Sequence, residues 1–527
     1  MKILISDNLS HRAVEIFESR PGLECEVSTG LTPEELKEKI KDFHALVVRS
    51  ATKVTPEILD AAENLKVIGR AGTGVDNIDV PGATKKGIVV MNTPGGNTVT
   101  TAEHAVSMML ALARKIPQAT ASMKSGKWEK KKFQGTEVTG KTLGILGVGN
   151  IGSVVASRAL GLKMNVIAFD PFISQEAADK MGIALVSMDE LFERSDFISI
   201  HVPLTKETRN VVNKDAFKKM KKGVRIINCA RGGIVNEADL AEAINKKIVA
   251  GAALDVFDKE PPGEDNPLLA LDEAILTPHL GASTSEAQEN VAVAVAEQIS
   301  DYLLSGTIRN AVNVPSVPAE LLSSLGPYIT LGEKIGSFQG QILAGGIEEI
   351  TVEYSGEVVD LDVTPITIAC IKGLLDQVLD MYVNFVNAPF VAKERGIKVI
   401  ETKSSRSIDF ASSVTIKVKT REEENLVEGA LFGKREPRIV RINKFFLDAV
   451  PDGFLLLLHN EDKPGVIGKV GTLLAENKIN IARLHLGRES VGREAVSVWN
   501  VDTPLAKGLM DKILKLPSII SARLISL

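Results

Sequence analysis

Aromatic side chains and cysteines are scarce in this sequence. Its 527 residues include two tryptophans, four tyrosines and three cysteines. So few aromatic rings do not suit a surface that stacks successive bases, which argues against nucleic acid as a partner. Cys25, Cys229 and Cys370 lie far apart and form no metal-binding or redox motif, so no metal is predicted. Cysteines this sparse are typical of the reducing cytoplasm.

Strong net charge and long apolar runs are also missing. The formal net charge is −5 and the isoelectric point is about 6.0, so no overall basic field favours nucleic acid or an anionic membrane. No apolar run approaches the roughly 20 residues that span a bilayer, and the first residues lack the layout of a signal peptide. We therefore expect a cytoplasmic protein, whose length predicts about three or four domains.

A glycine-rich turn is the most informative motif that is present. Gly147, Gly149 and Gly152 form the pattern Gly-x-Gly-x-x-Gly, with an apolar run at 142–146 before it and helical spacing at 151–162 after it. The first glycine permits a tight turn, the second lets a pyrophosphate approach, and the third lets helix and strand pack closely. The motif predicts a dinucleotide bound at a helix N-terminus.

Asp170 ends the next apolar run, about 20 residues beyond the turn, where a carboxylate can accept from a ribose 2′-hydroxyl. This carboxylate would repel a 2′-phosphate, and no arginine follows it closely, so NAD is favoured over NADP. The alternative is a chance glycine turn beside an unrelated acid. The strand, helix and acid in their expected order argue against that alternative.

Two α/β sections are predicted in the first 312 residues. Residues 1–97 alternate short apolar runs with helical patterns, which is typical of a parallel sheet covered by helices. Strand candidates recur through the section that follows, and helical patterns flank it at 98–114 and 285–304. We expect a nucleotide domain (98–285) inserted into a discontinuous substrate domain (1–97 and 286–312). The active site would lie in the cleft between them, at the carboxyl ends of the strands.

The sequence changes character after a proline-punctuated linker at 313–318. Strand patterns at 347–354 and 413–420 accompany a helical pattern at 364–381. A basic cluster follows, which either lies on a solvated edge strand, the favoured interpretation, or binds an anion. Its members are Lys434, Arg435, Arg438, Arg441 and Lys444.

Three polar side chains follow strands of the nucleotide section. Arg231 lies in Asn-Cys-Ala-Arg-Gly-Gly, Glu260 precedes two prolines, and His279 follows the last strand. A guanidinium can hold a carboxylate through two parallel hydrogen bonds. An imidazole can take a proton near neutrality, and a glutamate on its second nitrogen would raise the histidine pKa. Each residue alone is ordinary, but three at the strand ends of one sheet indicate a catalytic group.

The order of these motifs resembles the D-isomer-specific 2-hydroxyacid dehydrogenase family, in particular the members with an intervening domain and a C-terminal ACT domain. The resemblance covers the whole chain. It implies two doubly wound, Rossmann-like α/β domains, then an α+β intervening domain (313–448) and a ferredoxin-like ACT domain (449–527) with the order β-α-β-β-α-β. It also implies NAD-dependent oxidation of D-3-phosphoglycerate to 3-phosphohydroxypyruvate, the first step of phosphorylated serine biosynthesis.

The resemblance also implies a role for each matching residue. His279 resembles the acid/base, Glu260 its partner and Arg231 the anchor of the substrate carboxylate. The implied cofactor contacts are Gly147, Gly149, Asn150, Ile151, Gly152, Asp170, Cys229, Ala230, Asp255, Gly281 and Ala282. The implied substrate contacts are Arg49, Ser50, Arg70, Gly72, Thr73, Gly74 and Lys131. Arg49 and Arg70 would hold the phosphate.

The ACT segment resembles a serine-binding domain. Asn460, Asp462 and Asn480 occupy the matching positions, where Asp462 would take the amino group and Asn480 would bridge to a second subunit. The alternative is an ACT domain that only holds subunits together. The family implies a homo-oligomer, with a dimer through the nucleotide domains and a tetramer through the tail.

Two other functions fit part of this sequence. A sister enzyme acting on glyoxylate or hydroxypyruvate would share the three catalytic candidates, but Arg49, Arg70 and the ACT segment argue against it. An NAD-sensing corepressor on the same fold can retain those candidates, so only turnover separates it from an enzyme.

Overall fold

The computed structural model describes residues 1–315, 319–404 and 410–527. Within them lie four β-sheets with flanking helices, two of the sheets all-parallel and one all-antiparallel. The end of the predicted linker, residues 316–318, lies outside the described residues. The predicted succession of two doubly wound domains, a mixed domain and a ferredoxin-like domain is confirmed.

The N-terminal section forms a parallel sheet in the order β2-β1-β3-β4-β5. Its strands are β1 (Lys2–Ile5), β2 (Glu24–Val27), β3 (Ala45–Val48), β4 (Val67–Arg70) and β5 (Val89–Met91). Its helices are α1 (His11–Glu18), α2 (Pro33–Lys39), α3 (Pro56–Ala61) and α4 (Val80–Lys85). The central strands are buried on both faces, as in most parallel sheets.

The nucleotide section forms a parallel sheet in the order β12-β11-β10-β9-β6-β7-β8. Its strands are β6 (Thr142–Leu146), β7 (Asn165–Phe169), β8 (Ala184–Leu185), β9 (Phe197–Ile200), β10 (Val224–Asn228), β11 (Val249–Leu254) and β12 (Ala274–Leu276). Its helices are α5 (Thr98–Arg114), α6 (Ile116–Lys124), α7 (Asn150–Gly161), α8 (Gln175–Met181), α9 (Met188–Arg194), α10 (Lys214–Lys219) and α11 (Glu237–Asn245). The strand order reverses at β6, which places a ligand crevice beside its carboxyl end.

Helix α12 (Ser285–Ser305) returns to the first sheet. Val295 and Ile299 on this helix share a buried core with Ile3 and Val67 of the N-terminal sheet. The chain therefore crosses to the nucleotide section and back, which is the insertion predicted from the order of elements.

The intervening section forms a mixed sheet in the order β14-β13-β15-β16-β17-β18. Its strands are β13 (Ile347–Gly356), β14 (Lys398–Ser404), β15 (Ser412–Thr420), β16 (Glu424–Phe432), β17 (Glu436–Ile442) and β18 (Phe445–Ala449). Its helices are α13 (Ala319–Ile342), α14 (Thr364–Val378) and α15 (Ala388–Glu394). The sequence pattern predicts α14 with an end near 381, and it predicts no helix at α13.

Glycines explain why α13 and α14 lie so close together. A Cβ added at Gly336 would lie 2.2 Å from the carbonyl oxygen of Cys370, and one added at Gly373 would lie 2.2 Å from that of Glu333. The small residues of each helix therefore face the backbone of the other. Pro327 inside α13 and these glycines weaken any helical signal in the sequence.

The C-terminal section is an antiparallel sheet in the order β20-β21-β19-β22. Its elements are β19 (Phe454–Glu461), α16 (Val466–Glu476), β20 (Ile481–Arg488), β21 (Glu494–Val501), α17 (Lys507–Leu514) and β22 (Ile519–Ser526). One face of this sheet packs on its two helices around Trp499. On the other face, Leu455 and Val498 enter the core of the intervening section, so the two sections pack together.

The intervening section also contacts the N-terminal sheet. Asn384 Nδ2 donates to the carbonyl oxygen of Gly87 at 2.8 Å, and Lys85 Nζ lies 3.2 Å from Glu394 Oε1. Val386 is buried in the core of the N-terminal section. These contacts join the intervening section to the α4–β5 corner of the N-terminal section.

Candidate active site

The glycine turn between β6 and α7 has the shape that a dinucleotide needs. Gly147 has a φ of +92°, and a Cβ added at Gly152 would lie 2.0 Å from the Gly147 carbonyl oxygen. A Cβ at Gly149 would meet no atom within 4 Å, because it would point into open space above the turn. Asn150 and Ile151 begin α7. The turn therefore leaves room for a pyrophosphate over the N-terminus of this helix, which fits the predicted cofactor.

Asp170 lies at the end of β7 and is held against this turn. Its Oδ2 accepts from the backbone N–H of Val148 at 2.8 Å, and its Oδ1 accepts from that of Phe172 at 2.8 Å. Each carboxylate oxygen has a further lone pair. The orientation of Asp170 is thus fixed while it keeps the capacity to bind ribose hydroxyls.

His279 and Glu260 form a direct pair. His279 Nδ1 lies 2.7 Å from Glu260 Oε2, and Glu260 Oε1 accepts from the N–H of Phe257 at 3.1 Å. An ionised carboxylate can only accept, so the proton of a neutral His279 ring is on Nδ1 and Nε2 is an acceptor. Nε2 has no hydrogen-bond partner among the described residues.

This pairing shifts the pKa of both groups. The hydrogen bond that His279 donates to Glu260 raises the pKa of His279, although burial opposes that rise. Burial alone would raise the pKa of Glu260, but the hydrogen bonds from His279 and the Phe257 N–H lower it overall. The pair therefore holds an ionised carboxylate beside an imidazole that takes up a proton more readily.

The backbone of His279 adopts the left-handed conformation, with a φ of +52°. Its N–H donates to the carbonyl oxygens of Asp255 and Thr277, each at 3.0 Å. A non-glycine residue held in a sparsely populated region costs on the order of 1–3 kcal/mol and persists only where its surroundings hold it.

Asp255 is the group that holds this loop. It is fully buried, and its Oδ1 accepts from Leu280 N–H at 2.7 Å and from Thr277 Oγ1 at 2.5 Å. Its Oδ2 accepts from Gly281 N–H at 2.7 Å, and Ala282 follows directly. Burial would raise the pKa of Asp255, but hydrogen bonds from His104, Thr277 and the Leu280 N–H lower it overall.

Helix α5 supplies two contacts that the sequence interpretation missed. Thr101 Oγ1 donates to the carbonyl oxygen of Gly281 at 3.0 Å, and His104 Nε2 lies 3.2 Å from Asp255 Oδ1. The two residues are three apart on a helix and so share one face. That spacing of two polar side chains on one face of the helix was the only signal for them.

Arg231 extends from the end of β10 across the cleft. Asn228 Nδ2 donates to the Arg231 carbonyl oxygen at 2.9 Å, and Ala230 N–H donates to Asn228 Oδ1 at 3.0 Å. Arg231 Nε lies 3.2 Å from Asp76 Oδ2, on a loop of the N-terminal section. Cys229 is buried there, which raises the pKa of its thiol. Asn228 and Asp76 were not predicted.

The loop after β3 is fixed by two side chains. Asp7 accepts from the N–H of Arg49 at 2.5 Å and from Thr52 Oγ1 at 2.7 Å. Asn77 Nδ2 donates to the Arg49 carbonyl oxygen at 2.7 Å. Ser50 lies exposed between these anchors. The backbone beside Arg49 is therefore rigid, which gives a cationic side chain a fixed origin.

The loop after β4 brings two arginines together. Gly72 has a φ of +148°, and a Cβ added there would lie 1.5 Å from Arg70 Nη1. A Cβ added at Gly74 would lie 2.2 Å from Arg231 Nη2. Thr73 lies between them in the chain. Glycine at both positions thus lets the guanidinium groups approach the loop backbone closely.

Three arginines converge here, and the nearby carboxylates of Asp76 and Asp7 offset only part of their charge. Burial, followed by the charges of Arg231 and Arg49, lowers the pKa of Arg70 to about 10. Arg70 Nε is buried and has no hydrogen-bond partner among residues 1–315, 319–404 and 410–527. Like charges this close favour the binding of an anion. The arginine cluster also affects His279, because the charge of Arg231 acts to lower the pKa of the imidazole.

The segment of Lys131 lies apart from this group in its own chain, so a contact between Lys131 and the substrate stays a prediction. Its neighbours Glu129 and Lys132 line a cavity of about 690 Å³ together with Arg225. Arg225 lies near the amino end of β10, whereas Arg231 follows the carboxyl end of that strand. The segment of Lys131 therefore packs near the amino ends of the strands, opposite the carboxyl ends that form the cleft.

The predicted effector residues lie at the ends of the C-terminal sheet. Asn460 is buried, and its Nδ2 donates to the Glu461 carbonyl oxygen at 2.8 Å. Asp462 Oδ2 accepts from the N–H of Gly492 at 3.2 Å and lies 3.4 Å from Arg488 Nη1. Asp462 is thus better placed than Asn460 to receive a ligand.

Asn480 lies at the other end of this sheet. Its Nδ2 donates to Asp502 Oδ2 at 2.9 Å. Because β19 and β21 are antiparallel, Asp462 after β19 and Asp502 after β21 are separated by the length of the strands, roughly 25 Å. One chain does not bring Asp462 and Asn480 together.

Two of the five residues of the basic cluster, Arg438 and Lys444, form ion pairs with neighbouring acids. Arg438 Nη2 lies 2.8 Å from Glu436 Oε2, and Lys444 Nζ lies 2.9 Å from Glu489 Oε2. Its residues lie on and around β17 and β18, and β18 is an edge strand. These pairs favour the solvated edge strand over an anion site.

Helices of membrane-spanning length and apolarity are not found among the described residues. The fold and the cleft define a class, the NAD-dependent dehydrogenases of 2-hydroxy acids. Residues 106–281 match the family described as "D-isomer specific 2-hydroxyacid dehydrogenase, NAD binding domain". Residues 324–443 match the "D-3-phosphoglycerate dehydrogenase intervening domain", and residues 454–518 match the ACT domain.

Comparison with similar proteins identifies the family within this class. A D-3-phosphoglycerate dehydrogenase of Synechocystis is 46% identical over 527 residues, covering 100% of this chain and 95% of the relative. Another, of Archaeoglobus fulgidus, is 46% identical over 529 residues and covers 100% of both chains. The D-lactate dehydrogenase of Aquifex aeolicus, solved with NAD and lactic acid, has a TM-score of 0.53 and 28% identity, and covers 60% of this chain and 100% of that one. The chain belongs to the D-3-phosphoglycerate dehydrogenase family, and the predicted NAD cofactor and enzyme class are confirmed.

Proposed function

We propose that this protein oxidises D-3-phosphoglycerate to 3-phosphohydroxypyruvate with NAD, the first step of phosphorylated serine biosynthesis. The observation that supports this proposal is the convergence of Arg49, Arg70 and Arg231 in the cleft that holds His279. The substrate carries a carboxylate and a phosphate on three carbons. A cluster of fixed guanidinium groups binds both anions and orients the carbon between them.

In this proposal, different arginines bind the two anionic groups of the substrate. Arg231 holds the carboxylate, and Arg49 and Arg70 hold the phosphate. The backbone of residues 72–74 and the hydroxyl of Ser50 complete the pocket. Residues 1–97 and 286–312 form the substrate domain, residues 98–285 the NAD domain, and residues 313–448 and 449–527 the intervening and ACT domains.

The cofactor contacts lie along the same cleft. Gly147, Gly149, Asn150, Ile151 and Gly152 hold the pyrophosphate, and Asp170 holds the ribose. The nicotinamide side is formed by Cys229, Ala230, Asp255, Gly281 and Ala282. When bound, NAD supplies the acceptor for the hydride that leaves C2.

The protein supplies position, charge and a proton acceptor. His279 Nε2 accepts the proton of the C2 hydroxyl. Glu260 stabilises the imidazolium that results, because its carboxylate already accepts from Nδ1 at 2.7 Å. Arg231 stabilises the negative charge that develops on the C2 oxygen, a contribution whose loss typically costs on the order of 100-fold in rate.

We also propose that the protein is a homo-oligomer in the cytoplasm. Ile116, Met123 and Trp128 expose 53%, 54% and 80% of their surface on the segment that carries Lys131. A second copy that covers this segment buries those side chains. If Lys131 contacts the substrate, the cleft is that of the second copy, because its segment lies at the other end of the strands in its own chain. A tetramer follows if the ACT domains also pair, with serine bound between Asp462 of one copy and Asn480 of the next.

The test of the activity is NADH absorbance with three substrates in parallel: 3-phosphoglycerate, phosphohydroxypyruvate and glyoxylate. We expect turnover with the first two. His279→Ala is expected to keep NADH affinity and lose turnover. Preferred use of glyoxylate would favour the sister enzyme. Tight NADH binding with no turnover of any substrate would favour a sensor.

A further inference from the structure

One face of helix α5 is fastened to the loop that carries His279. Thr101 Oγ1 donates to the Gly281 carbonyl oxygen at 3.0 Å. His104 Nε2 lies 3.2 Å from Asp255 Oδ1 and 3.3 Å from Thr277 Oγ1. The two helix residues therefore contact this loop at points on both sides of His279.

Asp255 transmits the contact of His104 to the loop. Its buried carboxylate receives the N–H groups of Leu280 and Gly281, which directly follow His279. The Asp255 carbonyl oxygen also accepts from the N–H of His279 itself. A buried carboxylate is stable only when donors surround it, and His104 is the donor that comes from a separate helix.

The start of the same helix contacts the substrate loop. Asn97, which precedes α5, accepts at Oδ1 from Thr73 Oγ1 at 2.9 Å. Asn92 Nδ2 donates to the Thr73 carbonyl oxygen at 2.6 Å. Helix α5 thus touches the substrate loop at its N-terminus and the loop of His279 about one to two turns later.

We infer that His104 is a positioning residue for the dehydrogenase reaction: through Asp255, it fixes the place of His279 relative to the substrate. This inference rests on the proposed function, in which His279 Nε2 takes the proton of the C2 hydroxyl. The left-handed backbone of His279 makes such support necessary, because that conformation persists only where neighbours hold it.

Three variants of the full-length protein test this role. His104→Leu removes the donor and keeps an apolar side chain of similar size. His104→Gln keeps an N–H donor near the position of Nε2. Glu103→Gln changes an exposed side chain on the same helix and serves as the matched control. For each protein we would measure kcat, the KM of both substrates, NADH affinity, melting temperature and amide hydrogen exchange of residues 277–284.

We expect His104→Leu to lower kcat by about 10-fold or more, since small misplacements of a reacting group are costly in rate. NADH affinity should stay within about 2-fold, and exchange in 277–284 should accelerate. His104→Gln should restore both kcat and protection, and Glu103→Gln should change neither. A KM effect without a kcat effect would overturn the inference.

Other outcomes of these measurements also test the inference about His104. Wild-type kcat in His104→Leu would overturn the inference, as would a His104→Gln protein that recovers its melting temperature and not its kcat. If His104→Leu does not fold, His104→Asn, whose shorter side chain withdraws the donor from Asp255, replaces it, and unchanged kcat and exchange in that variant overturn the inference. A wild-type protein with no turnover would refute the proposed function. The exchange data alone would then decide whether His104 orders the loop.

Discussion

Arg49 and Arg70 are the residues on which substrate choice depends most directly. The pKa of Arg70 is lowered by burial and by its two arginine neighbours, so an anion in this cleft relieves a real electrostatic cost. Arg49→Ala and Arg70→Ala should each raise the KM for 3-phosphoglycerate by about 10- to 100-fold, the loss expected for a charged hydrogen bond. Steady-state kinetics should show little change in the KM for NAD.

Arg20 provides a control for these variants. It is an exposed arginine of the same N-terminal section and is not among the residues of the cleft. Arg20→Ala should leave both KM values unchanged. Equal increases in the KM of NAD and of 3-phosphoglycerate in the cleft variants would argue against a phosphate site at these arginines.

The pair of His279 and Glu260 sets the pH dependence. Oxidation needs the neutral ring, so kcat/KM for oxidation should rise with pH through the raised pKa of His279. Reduction needs the protonated ring and should fall through the same pKa. Glu260→Gln removes the charge that raises this pKa, so both transitions should move to lower pH. An unchanged midpoint would show that another group controls the profile.

Single residues differ in how well the sequence predicts them. His279 and Glu260 are predictable as a pair because each lies in a loop that follows a strand of one sheet, and parallel strands bring their carboxyl ends together. His104 and Asp76 are not predictable in this way. Their contacts depend on how a helix and a loop from other parts of the chain meet those strand ends.

At the scale of elements, the turn between β6 and α7 determines cofactor choice through Asp170. Its carboxylate is held in place by Val148 N–H, so its charge stays where a 2′-phosphate would lie. Asp170→Asn keeps the shape and removes the charge. We expect kcat/KM for NADP relative to NAD to rise by about 10-fold or more, measured with both cofactors at saturating substrate. An unchanged ratio would mean that Asp170 does not face the ribose.

Elements whose apolar residues recur at a regular helical or strand spacing were predictable from the sequence, and α13 was not. The glycine turn, the strands around it and the ACT order all follow from apolar spacing and turn residues. Helix α13 contains Pro327 and a row of glycines, which lower helix propensity. Its stability comes from packing against α14, where Gly336 and Gly373 permit close contact. Tertiary packing of this kind leaves no local signal.

At the scale of the whole molecule, serine control depends on two ends of the ACT sheet. Asp462 and Asn480 lie roughly 25 Å apart in one chain, so a shared ligand requires two copies. Serine should lower the rate of the wild-type oligomer. Asp462→Ala and Asn480→Ala should each abolish that effect, measured as turnover against serine concentration. Asp511→Asn, an exposed change on α17, should leave it intact. Inhibition that survives in both alanine variants would exclude this site.

The order of the domains along the chain was predictable, and their docking was not. Asn384 contacts Gly87 although 297 positions separate them. Neither residue has a sequence signal for this contact, because an asparagine on a loop and a glycine in a turn are common features of any surface.

The left-handed backbone of His279 implies that catalysis is maintained here at the expense of folding stability. Replacement of an imidazole by alanine normally leaves a protein more stable than replacement by glycine, which loses more chain entropy. At a φ of +52° that ranking should reverse, because only glycine adopts the conformation without penalty. His279→Gly should therefore unfold at a higher denaturant concentration than His279→Ala, by about 1 kcal/mol, while neither variant turns over substrate. The most tolerant residue for this position is one that cannot perform its chemistry.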